Sequence, residues 1–164
     1  MIPTYPLKQI VEVKQKRVEE AERVVKQKQE ALATEEKKLK EREEERDKVK
    51  THKAAKLKQL RDCLDAGTTS PKIQQMKNYL KVVDEKLLIE EKKVADQKNN
   101  VTIAEKNLEM ARTDLLLKRR EVDKLMQHKQ DWEKQMKREA LITEGKEQDE
   151  LGSMIYLSRH HREG

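Results

Sequence analysis

The clearest pattern in the chain is an apolar column at every seventh position of its second half. Eight successive positions carry it: Ile73, Leu80, Leu87, Val94, Val101, Leu108, Leu115 and Val122. With about 3.6 residues per turn, this repeat keeps a narrow apolar stripe on one side of a helix, and a second helix must wind around it to bury it. The pattern therefore predicts that the chain is built around a coiled coil.

A second column of the same period lies in the first half. It consists of Val11, Val18, Val25, Leu32 and Leu39, and we expect Val49, Leu57, Leu60 and Leu64 to continue it out of phase. Between the two columns, Gly67 suits a helix C-terminal cap, and Ser70 with Pro71 suits the start of the next helix. Folding the chain back here pairs residues whose numbers sum to about 135, such as Val25 with Leu108. The expected fold is all-α: a long antiparallel two-helix coiled-coil hairpin.

We place the boundaries from these signals. The hairpin spans 1–141, with helix one at about 7–64, the turn at 65–70 and helix two at 71–141. Beyond it, Gly145, Gly152 and Ser153 interrupt the period. Residues 142–164 are therefore predicted to form a flexible C-terminal tail.

The predicted seam contains polar positions. Three residues after the main column of helix two, Glu90 and Gln97 would enter the seam. Helix one has nine consecutive charged residues over 40–48, which the register places opposite Leu87 to Val94. This run is either a solvated face stabilised by ion pairs or a partner contact or bending point.

Composition supports a rod rather than a compact domain. Charged residues make up 43% of the chain, and it has no phenylalanine and only four glycines, so it lacks the bulky residues and turns of a globular core. The same composition is found in disordered proteins, but disorder would not preserve a period of seven.

No catalytic or metal-binding constellation is visible. His52 and His128 stand at no metal-ligand spacing, and His160 with His161 has no set of acidic or cysteine partners that would complete a metal site. Cys63 lies beside the apolar stripe and is expected to be a small seam residue rather than a nucleophile. Because no glycine-rich phosphate loop occurs either, we predict a non-enzyme without catalytic, cofactor or metal site.

The net charge of +6 is interleaved along the chain rather than gathered into a patch. With almost no aromatic residues to stack on bases, nucleic-acid binding is not favoured, and a mildly basic shaft suits an acidic protein surface instead. The sequence lacks a secretion signal and any run of 18 apolar residues. We therefore expect a cytoplasmic protein without membrane insertion.

Partner-binding residues are predicted mainly at the end of the hairpin that carries both termini. There the register places Tyr5 across from Trp132, and more apolar surface remains than a two-helix seam covers. Tyr79, near the hairpin tip, is a further candidate. The predicted partner-binding residues are Tyr5, Leu7, Ile10, Trp132 and Met136, a basic rim of Lys137 and Arg138, and Tyr79.

The first helix also resembles a known family. Its opening Tyr5-Pro6-Leu7, followed by Ile10-Val11 and the segment 16–22, is similar to the first helix of the YscO group of type III secretion proteins, particularly the chlamydial members. The flagellar counterpart is FliJ. The resemblance implies an antiparallel hairpin similar to the central stalk of rotary ATPases. It also implies a non-enzymatic component that lies in the bacterial cytoplasm, peripheral to the secretion apparatus at the inner membrane. Such a component inserts the end that carries both termini into the hexameric secretion ATPase and links the ATPase to the export-gate protein.

Three functions follow from these observations. The first is a monomeric stalk that couples the ATPase to export. The second is a cytoplasmic escort that binds secretion chaperones. The third is a self-associating coiled-coil spacer, which sedimentation would reveal as a dimer or larger species.

Overall fold

The computed structural model describes residues 2–163, and Met1 and Gly164, the outermost residues of the predicted hairpin and tail, lie outside the described residues. Two helices account for nearly all of it, α1 (Lys8–Ala66) and α2 (Ser70–Glu163). No strand occurs between residues 2 and 163. The two helices pack together as an all-α helical hairpin, which confirms the predicted fold class.

The turn between α1 and α2 has the geometry that its sequence predicts. Gly67 adopts a φ of 76°, in the left-handed region that side chains other than glycine rarely enter. Its backbone N–H donates to the carbonyl of Leu64 over 3.3 Å. Ser70 begins α2, and Pro71 occupies the first turn, where its missing N–H costs nothing. The helices are therefore separated by the three residues 67–69.

Each helix keeps the seven-residue period throughout its paired length. In α2 the eight apolar column positions are all buried or half-buried. The positions three residues later, which include Glu90 and Gln97, also face inward. The polar seam positions predicted for α2 are therefore confirmed.

In α1 the predicted change of phase is wrong. The column continues at the same spacing through Arg46 and Lys53 to Leu60, and all three are half-buried or buried. Val49 belongs to the neighbouring inward column, whereas Leu64 is 48% exposed. The period survives because long basic side chains cover apolar surface with their methylene stems while their charged ends reach polar partners.

The chain divides into two compact units. The central unit spans Arg23–Thr113, and the terminal unit combines the residues up to Glu22 with those from Asp114 onward. Both contain part of α1 and part of α2.

In the central unit, polar contacts alternate with apolar ones along the seam. Leu80, Val83, Val94 and Leu108 are buried there. Gln97 is 1% exposed, and its side-chain amide donates to the backbone carbonyl of Glu35 over 3.0 Å and to the Glu35 carboxylate. These hydrogen bonds satisfy a polar group that would otherwise destabilise the packed seam.

The charged run over 40–48 combines solvated and seam positions. Most of its side chains are exposed, and Lys48 and Glu45 form an ion pair within the helix. Arg42 and Arg46 are half-buried, and Arg42 donates to the carbonyl of Lys93 over 3.2 Å. Two arginines of this run therefore line the seam itself.

In the terminal unit, ion pairs join the helices along the same antiparallel register. Lys14 Nζ lies 2.9 Å from Glu121 Oε2, and Arg119 donates to Glu22 over 3.2 Å. The hydrogen bond from Lys14, and then its charge, lowers the pKa of the Glu121 carboxyl. The stability from this pair is present above the ordinary glutamate pKa and is lost as the pH falls through the lower folded value.

The predicted end of helix two at residue 141 is wrong. Helix α2 continues through Gly145 and Gly152 to Glu163, and every residue between Lys137 and Glu163 except Gly145 is exposed. A glycine within a helix costs only about 1 kcal/mol relative to alanine, so an interrupted period need not end the helix. The flexibility expected over 142–164 stays a prediction.

The central unit should depend strongly on Leu108, which is 5% exposed. Replacing Leu108 with Asp removes a buried side chain and inserts a charge, so the free energy of unfolding should fall by at least about 3 kcal/mol. The matched variant Ile103→Asp, at a position 56% exposed on the same helix, should change it by less than about 0.5 kcal/mol. Thermal unfolding followed by circular dichroism measures both. Equal losses would contradict the observed seam.

The buried Gln97 should fix the register more than it stabilises the seam. In Gln97→Leu the melting temperature should hold or rise, while alternative registers become populated. Spin labels at the exposed positions 36 and 98, with Cys63 replaced by Ser, should give a broader distance distribution than in the parent. Val101→Leu, which changes an apolar seam residue, is the control. A distribution as narrow as the parent's would show that the apolar columns alone set the register.

Candidate partner-binding site

The candidate site lies where the segment preceding α1 packs on α2 in the terminal unit. Residues 2–7 are not helical, and the carbonyls of Tyr5 and Leu7 accept hydrogen bonds from the backbone N–H groups of Lys8 and Val11 over 3.2 and 3.0 Å. These two bonds tie the segment to the first turn of α1, where the N–H groups lack partners within the helix.

An aromatic cluster anchors this segment to α2. The Tyr5 ring meets Trp132 edge to face, with centroids 5.4 Å apart, and lies 5.8 Å from the His128 ring. The Tyr5 hydroxyl is also hydrogen-bonded to His128 Nδ1. Edge-to-face pairs of this kind stabilise by about 0.5–1.5 kcal/mol beyond the area they bury. The predicted juxtaposition of Tyr5 and Trp132 is confirmed.

A shallow groove runs beside the cluster and carries basic charge. Its lining combines apolar and aromatic groups with three lysines and one glutamate. The lining residues are Ile2, Pro3, Thr4, Tyr5, Lys8, Lys129, Trp132, Glu133 and Lys137. An apolar floor with a basic rim suits a partner surface that presents apolar residues among carboxylates.

The other predicted residues of this end fall into two groups. Leu7, Trp132 and Met136 are half-buried, whereas Ile10 is 45% exposed. Lys137 and Arg138 are exposed on α2. The apolar members therefore leave part of their surface uncovered, and the two basic residues stand beside it.

Tyr5 differs from the expectation. Its side chain is only 5% exposed, so the prediction that it contributes accessible apolar surface is wrong. The reason is the non-helical segment, which brings the ring against Trp132 and His128. Tyr5 lines the groove with little accessible area and serves mainly to hold the segment 2–7 against α2.

Tyr79 belongs to the central unit. It is 44% exposed, and its hydroxyl is hydrogen-bonded to His52 Nε2 at 2.7 Å. Lys56 Nζ lies 5.6 Å from the centroid of the ring, within cation–π range. Tyr79 thus presents a partly covered ring with basic neighbours.

Two features were missed from the sequence. We assigned no role to the two hairpin histidines, yet each is hydrogen-bonded to a distant tyrosine: His52 to Tyr79 on α2, and His128 to Tyr5 in the segment preceding α1. Pairing the aromatic residues with the histidines at the expected register would have found both contacts.

The second feature is exposed apolar surface on the last part of α2, carried by Leu141, Ile142, Leu151, Met154, Ile155, Tyr156 and Leu157. A helical reading of residues 142–163 would have revealed it.

The described residues include neither a metal-binding cluster nor a membrane-spanning helix. Between residues 2 and 163 no group of three or more histidine, cysteine, aspartate or glutamate side chains is placed to hold a metal ion. Neither helix, as far as it is described, contains a stretch long and apolar enough to cross a membrane. The fold and the candidate site define a helical hairpin that carries an aromatic cluster beside a groove with a basic rim.

Comparison with known proteins identifies the family. The model of the YscO-like protein family matches residues 2–162, so the chain belongs to the YscO-like family of type III secretion proteins. The resemblance inferred from the first helix is thereby confirmed. No curated protein sequence matches the chain.

Two solved structures are similar to it. CT670 from Chlamydia trachomatis, described as a candidate YscO homologue, is 46% identical with a TM-score of 0.93, and the match covers 97% of this chain and 98% of that chain. A chain from the structure of the Chlamydia pneumoniae CdsV and CdsO protein complex is 51% identical with a TM-score of 0.49, and the match covers 51% of this chain and 98% of that chain.

The aromatic cluster can be tested through Trp132, which is the single tryptophan of the chain. Tyr5→Ala should expose the indole to water, so its fluorescence emission should shift to longer wavelength while helicity by circular dichroism is retained. Tyr79→Ala removes a tyrosine that makes no contact with Trp132 and should leave the emission unchanged. An unchanged spectrum in Tyr5→Ala would show that the segment preceding α1 does not cover Trp132 in solution.

Proposed function

We propose that this protein is a non-enzymatic stalk and coupling component of a type III secretion system. It binds the hexameric secretion ATPase and links it to the export-gate protein. Membership of the YscO-like family supports the assignment to type III secretion. It acts as a monomer in the bacterial cytoplasm, peripheral to the apparatus at the inner membrane, and secretion chaperones are further partners.

The observation that carries the proposal is the surface next to the aromatic cluster. Ile10 and Met136 leave apolar area uncovered, and Lys137 and Arg138 supply positive charge beside it. The cluster of Tyr5, His128 and Trp132 holds this surface in one conformation, which reduces the entropy lost on binding. A repeating ring of subunits that offer carboxylates around apolar side chains would match it.

The mechanism is mechanical rather than chemical. A coiled coil resists bending because each inward side chain packs between several residues of the facing helix. Contacts at its binding end can therefore bias the assembly and hydrolysis of an ATPase ring. The protein's own residues supply shape and charge and perform no bond-breaking step.

The proposal predicts a loss of coupling without unfolding. Met136→Asp together with Lys137→Glu places negative charge on the binding surface, so stimulation of the cognate ATPase should fall at least tenfold while helicity stays at the parent level. The hydrolysis rate is measured with stoichiometric protein and purified ATPase.

The matched control also replaces one apolar residue with Asp and one lysine with Glu, but in the central unit. Val24, 42% exposed, is replaced by Asp and the exposed Lys26 by Glu. This variant should stimulate the ATPase as the parent does. A greater loss in the control would place the ring contact along the hairpin. Tight chaperone binding by the parent without any change in hydrolysis rate would favour the escort function.

A further inference from the structure

A second apolar column runs along α2 within the central unit, on a side that α1 does not cover. Val82, Ile89, Ile103 and Met110 stand at multiples of seven residues, and they are 59%, 56%, 56% and 70% exposed. At about 1.5 Å per residue the column extends for roughly 40 Å. We call these four residues the outer stripe.

The spacing of the outer stripe identifies the shape of what would cover it. A seven-residue period on a helix matches only another helix that winds alongside it, because a strand or loop would meet the four side chains out of step. Each outer-stripe position precedes an inward position by one residue, as Val82 precedes the buried Val83. The stripe therefore faces away from the seam, and α2 offers apolar columns on two sides.

The charges beside the stripe identify the chemistry of the partner. On a helix, the residues three and four positions away flank each member of the stripe. They include four exposed lysines, Lys86, Lys92, Lys93 and Lys106, against two exposed acidic residues, Glu85 and Asp114, and Asp114 is paired with Lys118. Of these lysines, only Lys93 forms an ion pair within the described chain, with Glu90.

A second copy of this chain fits poorly on the outer stripe. Two copies joined through it would bring two sets of lysines together, which repel. α1 offers no complementary face either, since within the central unit it exposes only two large apolar residues, Val24 and Leu64, which stand 40 residues apart.

One position in the stripe adds a specific requirement. Asp96 occupies the place between Ile89 and Ile103 and is exposed. A helix that covers the stripe would need a basic or small polar residue at that layer, because an apolar side chain would leave the carboxylate without a partner.

From these observations we propose that the outer stripe is a docking site for an acidic amphipathic helix of a partner protein, which packs along α2 as the third helix of the coiled coil. This site is separate from the surface proposed to bind the ATPase. Either proposal can therefore fail without the other.

The test uses a synthetic helical peptide of four heptads with leucines at its two inward positions, glutamates beside them and one lysine placed to meet Asp96. Fluorescence anisotropy with the full chain should show micromolar binding that weakens as salt is raised. A peptide with lysines in place of the glutamates should bind at least tenfold more weakly.

Substitutions in the chain locate the site. Ile89→Asp together with Ile103→Asp should weaken binding of the acidic peptide at least tenfold, whereas Val24→Asp, the same change at an exposed position off the stripe, should not. Circular dichroism should show parent helicity in all variants. Equal binding of the acidic and basic peptides, or no effect of the double substitution, would overturn the proposal.

Two further measurements test other occupants. Sedimentation should show the same mass for the parent and the double variant, and a dimer lost only in the variant would assign the stripe to a second copy. Binding to anionic phosphatidylglycerol vesicles that requires the stripe, without peptide binding, would assign it to a membrane surface. Either result would overturn the proposal.

Discussion

The structure depends on a single geometric constraint, the match between a seven-residue repeat and the turn of the α-helix. Because the repeat drifts slowly relative to a straight helix, each helix can bury its stripe only against a partner that winds with it. The constraint holds even where the residues are polar, as at Arg46, Lys53 and Gln97. Position in the repeat, more than hydrophobicity, decides which side chains turn inward.

Polar seam residues make the hairpin specific at some cost in stability. Gln97 satisfies its hydrogen bonds only when Glu35 lies opposite, so a slipped register would leave it buried without partners. The ion pair between Lys53 and Asp84 adds a further preference for one alignment. Two helices with strictly periodic apolar columns can pair in several registers that differ by whole heptads. Polar contacts between particular residues favour one of these registers over the others.

The sequence determined the fold but only part of the candidate site. Period, turn residues and register could be predicted because each depends on local spacing. The change of phase predicted in α1 is wrong because the prediction places every leucine and valine in the seam and every arginine and lysine outside it. A long basic side chain can line the seam with its methylene stem while its charged end reaches solvent or a polar partner. The burial of Tyr5 could not be foreseen, because it follows from the path of a short non-helical segment and not from any periodicity.

The unpaired last part of α2 has a thermodynamic consequence. From Lys137 to Glu163 no side chain packs into the seam, so this segment is held by its own backbone hydrogen bonds and by local side-chain contacts such as the stacking of Tyr156 on His160, and two glycines lower its helix propensity. An isolated helix of this length is marginal in water, with nucleation the costly step and extension from an existing helix the cheaper one. The segment can therefore fray progressively from its far end. A ligand that captured Leu151 to Leu157 would have to order the helix as it bound, giving fast exchange and modest affinity over a large contact area.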